Sequence, residues 1–271
     1  MRATAPASTA NLGPGFDTLA LALEIRCSVA VESSDELEVA TPDPDGFVAG
    51  VAARLTQEPL RISVDSEIPS GRGLGSSAAI TAALGAAISR LHSEEPDHDR
   101  LFELVAGIEG HPDNAAATVY GGLVATDGAR AHLLDLDSDL RVLVAVPDVT
   151  LPTDEARRAL PSKIDFGIAA RTASRAIRLI EGLRQGNEDV LRSIGRDELH
   201  EPYRIELRPI IGELLSAATD AGALFSALSG AGPSVVAIVT RAHEQLVASA
   251  LTDAVGSGTV LSPAIALTGV E

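Results

Sequence analysis

Apolar positions along the chain come first in short runs and then in helical spacing. Leu19 to Val31 is apolar with β-branched residues toward its end, and Leu37 to Ala40 and Leu60 to Val64 read as further strands. Between the last two, Phe47 to Leu55 has the spacing of a helix. Ala78 to Leu91 is a helix pattern of small apolar residues with almost no charge. Leu101, Leu104, Val105 and Ile108 mark another within Arg100 to Ile108. Leu123 to Ala125, Ala131 to Leu136 and Leu140 to Val146 then read as strands, the last a buried one ending at Pro147-Asp148.

Beyond that strand the order changes. Asp165 to Leu183 is a long amphipathic helix, followed by helices near Asp189 to Ile194 and Arg208 to Ala221. Ala223 to Leu228 and Ser234 to Val239 are strands, His243 to Ala254 a helix and Thr259 to Leu267 a closing strand. Helices packed on antiparallel sheet, an α+β layering, is the economical solution. The turn-rich stretch Pro147 to Pro152 predicts a boundary between domains 1–148 and 149–271. Ala3 to Phe16, rich in Pro, Gly, Ser and Asn, predicts a structured loop.

Composition narrows the function. The 271 residues, 45% hydrophobic, are enough for sizeable cores, and the net charge of −17 argues against a nucleic-acid or anionic-membrane partner. Cys27 is the only cysteine, which excludes an intrachain disulfide and a thiolate metal site. No apolar run reaches the roughly 18 residues of a membrane helix, and the first residues lack a hydrophobic signal core. The expectation is a cytoplasmic protein without a membrane partner.

The chemistry centres on Ile68 to Thr81, IPSGRGLGSSAAIT. Glycines let the backbone come close to a ligand, and the first turn of a helix offers unpaired N–H groups and partial positive charge. Gly71, Gly73, Leu74, Gly75, Ser76 and Ser77 therefore read as a phosphate cradle, the serines as N-caps whose hydroxyls reach a phosphate or its magnesium. The Gly-Lys-Ser/Thr ending of a P-loop is missing, and Lys163, the only lysine, lies far away.

With PASTANLGPGFDTLALAL at Pro6 to Leu23 and ALSGAGPSV at Ala227 to Val235, the glycine loop completes three motifs whose order resembles that of the GHMP kinases. ANLGPGFD, EGHPDN, PTDEARRALP and HEPYR resemble the branch of that family that phosphorylates L-homoserine. The resemblance implies a two-domain GHMP kinase fold. Its N-terminal domain is like ribosomal protein S5 domain 2, its C-terminal domain is ferredoxin-like, and the site lies in the cleft between them. It also implies ATP as co-substrate, magnesium, and a homodimer as in the family.

The same resemblance distributes roles. Ser77 and Glu103 become the metal ligands, although spacing alone puts Glu103 off its helix's apolar stripe, as for a solvated carboxylate. Arg157 and Arg204 match carboxylate-binding positions, with Asn11 and Asp17 at the ammonium end and His111 and Thr153 shaping the pocket. Asn114 falls beside the reacting hydroxyl where some relatives have an aspartate base, and an amide is no effective base. Ser229 to Pro233 is either a turn over the phosphate end or a plain glycine turn between strands. Two rivals remain at this point. A kinase for a sugar or shikimate is opposed by the carboxylate-binding arginines or by Asp17, and a non-catalytic nucleotide sensor by the intact set of site residues.

Overall fold

Small side chains at the amino terminus set the layering. In the computed structural model, which describes residues 1–128 and 130–271, Arg2–Ala10 is a strand, β1, and not the loop expected for Ala3 to Phe16. Ala5 through Ala10 are buried on both faces, so this strand of the sheet is covered on each side, with the helices Ser76–Leu91 and Pro112–Tyr120 packed against it, and its small residues suit that position. Burial outweighs a composition that locally favours turns. The loop proper begins at Asn11 and holds a 3-10 turn at Gly13–Gly15.

The chain continues through β2 (Leu19–Ser33), β3 (Glu38–Val39), α1 (Phe47–Leu55), β4 (Leu60–Ser66), α2 (Ser76–Leu91), α3 (His98–Glu109), α4 (Pro112–Tyr120), β5 (Leu123–Thr126) and β6 (Ala131–Leu134). After β7 (Leu140–Val146) come five helices, α5 (Thr153–Arg158), α6 (Phe166–Gln185), α7 (Glu188–Arg192), α8 (Glu201–Leu207) and α9 (Ile210–Asp220). The last elements are β8 (Phe225–Leu228), β9 (Val235–Thr240), α10 (Glu244–Val255) and β10 (Thr259–Leu261).

The first sheet has the order β3-β4-β2-β5-β6, with β1 also pairing β2. β2 is long enough to serve three partners: β1 along most of its length, β5 at its start and β4 at its end. The β1–β2 register jumps from Pro6↔Arg26 to Ala7↔Leu23, a bulge at the residue that has no N–H to donate. α2 lies across β1 and β2 through Ala78, Ala79, Ala82, Ala83, Ala86 and Ala87, all fully buried.

The second sheet, β10-β7-β9-β8, is antiparallel and carries α9 and α10. β7 pairs with β9 (Val144↔Val236) and β10 (Val260↔Ala145), so the chain joins the second sheet at Leu140, ahead of the turn-rich stretch expected to separate the domains. A strand apolar at every position but Arg141 matches any buried sheet equally well, and Pro147 to Pro152 is its exit toward the cleft. The closing strand also stops early, at Leu261. Residues 264–271 return to the first sheet, with Ala266 N donating to Ala22 O at 3.1 Å and Glu271 N to Thr4 O at 2.8 Å. No helix among the described residues is long and apolar enough to cross a membrane.

Ala83 is fully buried in the α2 interface, so Ala83→Leu overpacks it. The expected cost is about 1–3 kcal/mol, read by calorimetry as a fall in Tm of roughly 3–10 °C.

Candidate active site

Between the two sheets lies a cleft of about 270 Å³, walled by the glycine loop on one side and by Asp17, His111, Arg157 and Arg204 on the other. Gly71, Gly73 and Gly75 have φ of 66°, 78° and 66°, backbone that favours glycine. Space is the stronger constraint. A Cβ on Gly73 would strike the Ser229 carbonyl oxygen and come within 2.8 Å of Gly232 N, and one on Gly75 would strike Ser8 Oγ. Ser229 Oγ donates to Gly73 O at 2.7 Å, Ser8 N to Leu74 O at 3.1 Å and Gly230 N to Ala10 O at 2.9 Å. The three sequence motifs thus share one knot of backbone. Ser229 to Pro233 packs on the glycine loop and is more than a plain turn.

Gly75 is the N-cap of α2, with no side-chain cap bond, so the expected capping by serine does not occur. Ser76 and Ser77 occupy the first turn, leaving Ser77 Oγ to donate to Glu109 Oε2 at 2.5 Å. Glu109 ends α3, and burial pushes its pKa up despite the Ser77 hydroxyl and His111 beside it. Glu103, the expected metal ligand, is outside the cleft on the exposed side of α3. Six residues rotate a side chain by about 240°, which is why the two glutamates cannot share a face.

At the other end Asn11 and Asp17 hold left-handed backbone, with φ of 73° and 52°. Asn11 ties the knot to this end: Nδ2 donates to Gly230 O at 2.7 Å, and Oδ1 accepts from Asp17 N at 2.9 Å. Arg157, on α5, meets Asp17 through both terminal nitrogens, at 2.6 and 3.1 Å, and its Nε donates to His111 Nε2 at 2.8 Å. Arg157 can only donate, so the His111 proton is on Nδ1, a buried atom without a partner. Thr153, at the start of α5, lines the same cleft.

Arg204, on α8, is 1% exposed. Its Nη1 donates to Gly230 O at 2.9 Å and contacts His200 Nδ1 at 3.1 Å, while Nε is unpaired. Burial, with Arg157 nearby, lowers its pKa to about 10. Sequence reasoning missed the group between the arginines. The Phe16 ring has Arg157 and Arg204 over it at 5.6 and 5.4 Å and stacks on His200 at 4.9 Å. His200 Nε2 donates to Gly13 O at 2.9 Å, which leaves Nδ1 to accept from Arg204, and burial lowers its pKa to about 4. Beneath it, Asp197 accepts the N–H groups of Leu199, His200 and Glu201. Glu201 accepts from Leu228 N at 2.7 Å, and burial raises its pKa to about 7.

Asn114 Oδ1 accepts from Ser8 Oγ at 2.8 Å, and the Asn114 N–H donates to Asp113 at 2.8 Å. Asp113 also lines the cleft, and burial raises its pKa to about 6. Phe16, Glu109, Asp113 and His200 all lie inside the motifs, within four residues of ones with expected roles. Adjacency was the only signal for them.

Family models for the "GHMP kinases N terminal domain" and "GHMP kinases C terminal" match residues 46–122 and 176–257. A homoserine kinase of Moorella thermoacetica is 37% identical over 251 residues, covering 86% of this chain and 85% of that protein. The chain belongs to the homoserine kinases of the GHMP kinase family. A homoserine kinase of Thermus thermophilus is 36% identical over 266 residues, 91% of this chain and 89% of its own length. The crystal structure of homoserine kinase from Cytophaga hutchinsonii superposes with a TM-score of 0.88 at 26% identity, covering 100% of this chain and 96% of that one. The two-domain architecture of the family is therefore the architecture of this chain.

The buried floor carries a pH signature. Folded Glu201 keeps its proton up to about pH 7, whereas the unfolded chain releases it near 4.5, so stability from this group is full below pH 4.5 and is lost as pH rises through 7. Glu201→Gln keeps the acceptor for Leu228 N and removes the titration. Urea-unfolding midpoints at pH 5 and pH 8 are expected to converge in the variant relative to the parent chain.

Proposed function

We infer that this chain transfers the γ-phosphoryl group of ATP to the side-chain hydroxyl of L-homoserine, giving O-phospho-L-homoserine for threonine biosynthesis. The observation that carries the reading is one cleft with an anion cradle at one end and an Arg157, Arg204 and Asp17 cluster at the other. Phosphoryl transfer needs positioning and charge neutralisation more than covalent chemistry.

In this reading the glycine loop and the first turn of α2 hold the polyphosphate through backbone N–H groups and the hydroxyls of Ser76 and Ser77. Arg157 and Arg204 take the substrate carboxylate and Asp17 its ammonium. Asn11 fixes the backbone of that corner, and His111 and Thr153 form its walls. Asn114, oriented by Ser8, aligns the acceptor hydroxyl, whose proton leaves late to a phosphate oxygen or water.

The residues present fit a magnesium ion. Glu109 is a half-buried carboxylate at the end of the phosphate cradle, its Oε2 accepting from the Ser77 hydroxyl. One carboxylate and one hydroxyl leave room for phosphate oxygens and waters, the shell such an ion prefers. We therefore assign the cation to Ser77 and Glu109 in place of Glu103. Bound there, it would neutralise charge on the transferring group. The cytoplasm, with its ATP, is the compartment this activity requires.

An ADP-release assay with Mg-ATP is expected to show turnover of L-homoserine in preference to L-serine, shikimate and galactose. Arg204→Ala should raise KM for L-homoserine about 100-fold. Glu109→Ala should lower kcat about 100-fold, with Glu103→Ala within about twofold of the parent chain. The reverse pattern for the two glutamates would return the cation to α3's outer face.

A further inference from the structure

Every donor nitrogen of Arg157 is engaged inside the protein. Nη1 and Nη2 hold the two oxygens of Asp17, and Nε holds His111. Yet this is no buried structural pair. The two side chains are 33% and 37% exposed, and both line the cleft. Arg204 is fixed on Gly230 and His200 beneath the surface, so any rearrangement falls on Arg157. In the reading above, on which this inference rests, the substrate carboxylate needs Arg157 and the ammonium needs Asp17. Each of those groups is held by the other.

We propose that the Asp17–Arg157 pair determines specificity by self-occupancy: only a ligand carrying both charges can open it without leaving a charge unpartnered. A zwitterion exchanges one ion pair for two, its carboxylate on Arg157 and its ammonium on Asp17. A carboxylate without an ammonium takes Arg157 and strands Asp17 near the Asp113 carboxyl, in a cleft that Glu109 also lines. An amine without a carboxylate strands Arg157 beside Arg204, whose lowered pKa already reflects that neighbour. The pair thus works against half-ligands through what they leave behind, which attractive contacts alone would not do. Asp17 and Arg157 come from distant parts of the chain, so the device exists only once both domains are folded.

The test uses the intact chain and measures binding without turnover, by NMR titration with L-2-aminobutanoate, butanoate and 1-aminopropane. Asp17→Asn suits the left-handed backbone at this position, which asparagine tolerates. It is expected to bind butanoate about three- to tenfold more tightly than the parent chain, because Arg157 is released, while losing about tenfold or more for L-2-aminobutanoate. In an Arg157→Gln background the same change should leave butanoate binding unaltered; Arg157→Met replaces Gln if that variant does not fold. No gain in Asp17→Asn overturns the proposal. An equal gain without Arg157 also overturns it, since that reports only the removal of a negative charge. Absence of L-homoserine turnover by the parent chain, measured separately, would instead bring down the functional reading.

Discussion

At Gly73 and Gly75 three distant segments of chain approach so closely that no Cβ fits, and the rest of the cleft depends on that contact. The glycine loop touches β1 through Ser8 and Leu74, and the turn after β8 through Ser229 and Gly232. Because Gly230 also receives Asn11 and Arg204 at its carbonyl, the knot that shapes the glycine-loop end holds the arginine end as well. A side chain here would push the two sheets apart and change both ends together.

Electrostatics divides the cleft in a complementary way. The glycine-loop end offers backbone dipoles and hydroxyls, in a chain with one lysine and a net charge of −17. The opposite end concentrates two guanidinium groups around one aromatic ring. Their repulsion is borne by Asp17, by the Gly230 carbonyl and by the π-face of Phe16. Below them His200 is neutral, and Asp197 Oδ2 takes the N–H groups of Leu199, His200 and Glu201, which fixes the start of the helix that carries Arg204.

Most elements were legible from periodicity because amphipathic helices and apolar strands advertise their burial locally. β1 was not, since alanine, serine and proline suit a turn and a doubly buried strand alike, and only the covering helices decide between them. β7 was legible as a strand but not as part of the second sheet, because hydrogen-bonding edges carry no address in composition. For Glu103 and Glu109, both on α3, the choice turns on which face of that helix meets Ser77, a fact of packing.

The sequence alone determined the family and marked the glycine loop and the charged residues of the cleft, since each depends on short stretches whose chemistry is local. Tertiary structure decided how those stretches meet. It placed Glu109 against Ser77, set Phe16 between two arginines and closed Arg157 onto Asp17, contacts that join residues far apart in the chain. Local patterns record what a residue can do, but the partner it does it with depends on how separately formed layers pack.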